Sequence, residues 1–103
     1  MKVYEIIEAI YQKLIDKLDA METSPSCSFF GEALQNGITF NCETKVNREI
    51  GYTEYEPHFT DYKVTSIEVE LTLKLYCGGN PMPGREKLIT KILTQKLKLK
   101  YEN

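Results

Sequence analysis

The stretch LYCGGNPMPGRE, residues 75 to 86, holds Gly79-x-x-x-x-Gly84 between an alternating strand-like run and a helix-like one. That is the spacing and setting of a phosphate-cradling loop, G-x-x-x-x-G-K-[ST], whose backbone N–H groups wrap an anion at a helix start. The neighbouring residues oppose that chemistry. Arg85 stands where a lysine reaches the terminal phosphates, and Glu86 replaces the metal-binding hydroxyl. Pro81 and Pro83 also lack the N–H groups that would do the cradling. The stretch therefore reads as a strand-to-helix connection, with no cofactor expected.

Nucleophilic catalysis needs a base beside a nucleophile, and His58 with one of Cys27, Cys42 or Cys77 is the only such set available. His58 sits in a polar segment, whereas Cys42 and Cys77 fall on the apolar side of alternating runs, so the two are not expected to meet. One histidine and three cysteines without a CxxC spacing hold no metal-ligand cluster. The odd cysteine count points to a reduced protein without structural disulfides. Glu68 and Glu70 share the polar side of a strand, where solvation accounts for them without paired-carboxylate chemistry. No enzyme is expected.

Two groups of residues point instead to binding. Tyr52, Tyr55, Phe59 and Tyr62 crowd into REIGYTEYEPHFTDY (residues 48 to 62), an otherwise polar stretch with Gly51 and Pro57. Aromatics are costly to leave in water, and tyrosine is favoured at interfaces; folding back over the sheet is the alternative. The second group is basic: Arg85, Lys87, Lys91, Lys96, Lys98 and Lys100. They give residues 84–103 a balance of +4 against −6 for residues 1–83. No aromatic stacking platform accompanies these cations and the rest of the domain is acidic, so nucleic acid is not expected; a surface for a protein partner and an ordinary solvated face are the alternatives.

The elements that position these groups follow from periodicity. VYEIIEAIYQKLIDKLDAM is an amphipathic helix with Val3, Ile6, Ile7, Ile10, Leu14, Leu18 and Met21 on one side. CSFFGEAL and ITFNCETKV flank QNG, a hairpin with Asn36-Gly37 at its turn and a bulge near Gly31. Residues 48 to 62 form a long loop or a protruding hairpin tip. In YKVTSIEVELTLKLYC, Ile67, Val69, Leu71, Leu73, Leu75 and Cys77 face one way, marking a sheet buried on one side. Asn80 can cap a second helix, with Leu88, Ile89, Ile92 and Leu93 on its apolar face. The period-two run KLKLKY is expected to be a last edge strand with protective lysines, or else fraying helix.

The 103 residues make one domain, 1–103, of α+β class, an antiparallel sheet covered on one face by two helices in the order α-β-β-β-α-β. No apolar run approaches the roughly 20 residues of a membrane span, and Glu5 and Glu8 interrupt any signal-peptide core. A cytoplasmic protein is expected.

This order of elements resembles the small tail-terminator or tail-completion proteins of long-tailed bacteriophages and prophages: an amphipathic helix, the short SFFGEAL strand, two long strands joined by a protruding segment, then a helix and a final strand. The resemblance spans most of the chain as order and element length. It includes no residue-specific motif, so no functional residue carries over, and the C-terminal part is shorter than the pattern. It implies a structural protein of a bacterial host's cytoplasm or of a virion, assembled as a ring, usually hexameric, at the end of the tail tube. Ring closure uses a heterologous interface, which the acidic body and the basic face of Lys91, Lys96 and Lys98 would suit. The competing reading is a small binding module, encoded by a phage or mobile element, that inhibits a host protein.

Overall fold

The computed structural model describes residues 1–55 and 59–102, with side-chain surroundings given outside 53–61. Its elements are α1 (Val3–Lys17), β1 (Ser26–Ala33), β2 (Ile38–Tyr55), β3 (Phe59–Cys77), β4 (Asn80–Pro81) and α2 (Pro83–Lys100). The strands form one antiparallel sheet in sequence order, β1-β2-β3-β4. Helices α1 and α2 lie side by side on one face of it. The α+β class and the one-sided helical cover are as expected from the periodicity.

The two tight turns arise from residues that tolerate left-handed backbone. Asn36 and Gly37, at φ 58° and 73°, turn β1 into β2. Gly78 and Gly79, at 57° and 82°, turn β3 into β4. Between β1 and β2 the register shifts after Phe29, and the side chain of Asn41 accepts the Gly31 N–H at 2.7 Å.

The chain departs from expectation at three element boundaries. α1 stops at Lys17 rather than Met21, because the Asp19 carboxylate accepts the Met21 N–H at 2.8 Å and offers the backbone a local alternative to the helix. α2 is capped by Met82, not Asn80, since Asn80 and Pro81 pair with Cys77 and Tyr76 as β4. The expected last strand is helix: α2 runs on to Lys100. Lysine and leucine are both good helix formers, and the i, i+4 pair Leu97 and Tyr101 carries the buried stripe of Leu93 one turn further. The element order is therefore α-β-β-β-β-α.

The core lies between sheet and helices. Ile6, Ile10 and Leu14 of α1 and Ile89, Leu93 and Leu97 of α2 close over Phe40, Cys42, Val46 and Leu75. Phe29 packs on Phe40 with ring centroids 5.5 Å apart. The one buried polar side chain of this layer, Thr44, donates its hydroxyl hydrogen to the carbonyl of Glu70 at 3.0 Å. Cys77, expected inward, is exposed, because the strand is ending there in the glycine turn.

Candidate functional site

Residues 48–55 and 59–62 are paired strand rather than loop. β2 and β3 stay paired from Ile38↔Cys77 out to Tyr55↔Phe59, making a two-stranded arm that stretches the molecule to 60 × 20 × 18 Å. Of the expected alternatives, the protruding hairpin is the one found. His58, Pro57 and Glu56 lie outside the described residues, as do the side chains of Tyr55 and Phe59, whose backbones pair at the last rung.

The register explains what the arm exposes. Successive partners Val46↔Val69, Arg48↔Ile67, Ile50↔Val64 and Tyr52↔Tyr62 share the side of the sheet that the helices cover. Val46 is wholly buried, whereas Ile50 is 43%, Tyr52 66% and Tyr62 70% exposed. The apolar stripe of the core thus continues past the ends of the helices into solvent. The two tyrosines lean together, with ring centroids 6.3 Å apart, rather than folding back over the body. Thr65 is the extra residue of a bulge at the arm's base and donates its hydroxyl hydrogen to the carbonyl of Glu49 at 3.1 Å. Its methyl sits so near Gly51 that a Cβ there would lie 2.8 Å from it.

Arg48 joins arm to body. Its guanidinium donates to the carbonyl of Ala20 at 3.0 Å and to that of Glu22, and lies over the Tyr101 ring at 5.3 Å from its centroid. It therefore ties together the segment after α1, the end of α2 and the first arm rung. A cation beside the C-terminal ends of two helices is also favoured by their dipoles. Sequence reasoning missed Arg48. The available signal was its parity with Val46, which puts an arginine on the apolar side of an alternating strand.

The basic residues separate. α2 runs from the Cys77 end of the sheet toward Arg48: the Met82 N–H donates to the Leu75 carbonyl, while Tyr101 reaches Arg48. Arg85 is consequently exposed at the end away from the arm. Lys91 and Lys98 are exposed and, among the described residues, make no ion pair. Lys96 is already engaged, 2.8 Å from Glu8 of α1 and over the Tyr11 ring at 4.7 Å. Of the face formed by Lys91, Lys96 and Lys98, only Lys96 is thus paired within the chain among the described residues. The expected apolar face of α2 also divides: Ile89 and Leu93 point inward, but Leu88 is 48% exposed on the outside.

The glycine stretch is spent on structure. Gly79 belongs to the β3–β4 turn, Gly84 is inside α2, and the Met82 N–H between them already serves Leu75. The thiols are equally structural. Burial pushes Cys42 up to about 12, with Cys27 and Glu43 adding to the shift, and burial also raises Cys27 against the opposing charge of Lys17. Both thiols are protonated at neutral pH and make poor nucleophiles.

A raised thiol pKa makes stability alkali-sensitive. The neutral form suits the fold, so its contribution is complete below the ordinary value of 9.0 and is lost as pH climbs toward about 12. Unfolding free energies from denaturant titrations between neutral pH and about pH 11 should fall above pH 9.0, by up to about 1.4 kcal/mol per pH unit. Cys42→Ala should make that fall shallower, leaving the smaller part that Cys27 and Tyr101 contribute, both also raised by burial. An unchanged slope in the variant would overturn the assignment.

The fold and these surfaces define an α+β domain with a helix-covered antiparallel sheet, a protruding two-stranded arm and a basic helix edge. No family model, no curated protein and no solved structure matches the chain. Among the described residues, no helix is long and apolar enough to cross a membrane.

Proposed function

We propose that this is a non-catalytic assembly protein, of the kind that phage tail-terminator and tail-completion proteins represent, and that its arm is the surface by which copies join. The observation that supports this is the continuation of the core's apolar stripe, through Ile50, Tyr52, Val64 and Tyr62, onto a ribbon that no helix covers. An isolated two-stranded hairpin is marginal in water. Along the outer arm both strands also present free edges, which natural sheets normally pair, cover or protect. A neighbouring copy laid along the arm would bury the tyrosines and satisfy an edge at once. A heterologous contact of this sort, repeated by rotation, closes a ring.

The test is absolute mass by light scattering across a concentration series, at low and high salt. Wild-type protein should form a species of several copies. Tyr52→Ser/Tyr62→Ser should remain monomeric while keeping its melting temperature, since both side chains are exposed and outside the core. Wild-type protein that is monomeric throughout would overturn self-assembly through the arm and favour the second reading, a small module that inhibits a host protein.

A further inference from the structure

α2 has apolar residues on two sides. Ile89, Leu93 and Leu97 are fully buried against the sheet. Leu88, Ile92, Gln95 and Leu99 follow one another at spacings of four, three and four along the outside, with Leu88 and Leu99 48% and 59% exposed. That spacing is the a/d seam of a coiled coil. Together with Lys91 and Lys96 these residues line a shallow groove whose surface is almost wholly apolar. In the same heptad frame Lys91 and Lys98 border the seam at g positions, whose charges help choose a coiled-coil partner, while Lys96 at e on the other side already pairs with Glu8 of α1.

We infer that this outer face of α2 docks an amphipathic helix of another protein, one with apolar residues at the same spacing and carboxylates on the flank that meets Lys91 and Lys98. The charge pattern selects that occupant. Two copies pairing through α2, parallel or antiparallel, would set lysines against lysines, and like charges in these positions oppose pairing. The chain's own acidic helix, α1, does not fit either. Its aliphatic residues Ile6, Ile7, Ile10 and Leu14 are buried, and its one large exposed hydrophobic side chain is Tyr4. No described element therefore offers an apolar ridge flanked by carboxylates. Nor does the groove suit nucleic acid, because its centre is apolar and its cations stand at the rim.

The probe is a synthetic heptad-repeat peptide with Leu at a and d and Glu at e and g, titrated into the full chain labelled for amide NMR. The expected shifts are confined to α2 between Leu88 and Leu99, and binding weakens as salt rises. Leu88→Ser/Leu99→Ser should lower affinity about tenfold or more, and Lys91→Glu/Lys98→Glu by a similar factor. Both pairs are exposed, so the fold should survive and the amide spectrum will report it. A matching peptide with Lys at e and g should not bind. Failure of the Glu peptide, binding elsewhere, or equal binding to all variants would overturn the inference. Tighter binding of duplex DNA at the same amides, or loss of self-association in Leu88→Ser/Leu99→Ser, would also overturn it. Tyr52→Ser/Tyr62→Ser should bind the peptide as wild type does, which separates this result from the fate of the arm.

Discussion

Phe40→Ala is expected to cost about 3–5 kcal/mol of folding stability, the usual range for truncating a buried phenylalanine. Phe40 is fully buried, packs on Phe29, and pairs with Glu32 on one side and Leu75 on the other, so it occupies the middle of the three long strands. Helices cover it from above, and a void left there has little means of collapsing. A domain of this size has total stability of roughly 5–15 kcal/mol, so the variant would be close to unfolding. Denaturant midpoint and melting temperature measure the loss, the latter falling on the order of 15–30 °C. Phe40→Leu, which keeps most of the volume, should lose markedly less. A loss below about 1 kcal/mol for Phe40→Ala would show that the site repacks and that the core is not centred there.

Arg48→Ala should lose about 2–3 kcal/mol and, unlike Phe40→Ala, should lose it locally first. The guanidinium makes charge-assisted hydrogen bonds to two carbonyls, each worth about 1.5–3 kcal/mol in sheltered settings, and adds a cation–π contact with Tyr101. Partial exposure to water lowers that sum. Arg48→Lys should recover only part of the loss, because an ammonium has the donors for the two carbonyls that Nη2 alone serves but lacks the planar face that lies over Tyr101. Hydrogen exchange should quicken first at residues 18 to 24 and at the base of the arm. Uniform protection in Arg48→Ala would show that the arm needs no such tie.

Much of this architecture could be read from residue order because it depends on local pattern. Alternation in ITFNCETKV and IEVELTLKLYC gave the strands and the buried face, and Asn36-Gly37 gave the turn between β1 and β2. Period 3.6 gave α1, though not where it stops, since an aspartate side chain bonding its own backbone ends it early. KLKLKY illustrates the limit. Its pattern alternates, yet its residues favour helix, and the space left for Tyr101 beside Arg48 and α1 resolved the conflict.

The candidate surfaces were legible as residue types and not as arrangements. Tyr52 and Tyr62 stood out as aromatics in a polar stretch, but their meeting across a strand pair depends on the β2–β3 register, which shifts at the Thr65 bulge between Glu49↔Ser66 and Ile50↔Val64. The lysines stood out as charge. That Lys96 is spent on Glu8, and that Leu88 turns outward while Ile89 turns in, followed only from where α1 and the sheet lie against α2.

By itself, then, the sequence determined the class of fold, the buried side of β2 and β3, the first turn and the departures from a phosphate-cradling motif, all of which follow from interactions between near neighbours. Tertiary structure alone decided that residues 48–55 and 59–62 extend as an arm, that α2 continues to Lys100, and which lysines are paired among the described residues. The last two turn on contacts between residues far apart in the chain and the arm on cross-strand pairs from Arg48↔Ile67 to Tyr55↔Phe59, and in each case burial and pairing outweigh the weak preferences of any single segment.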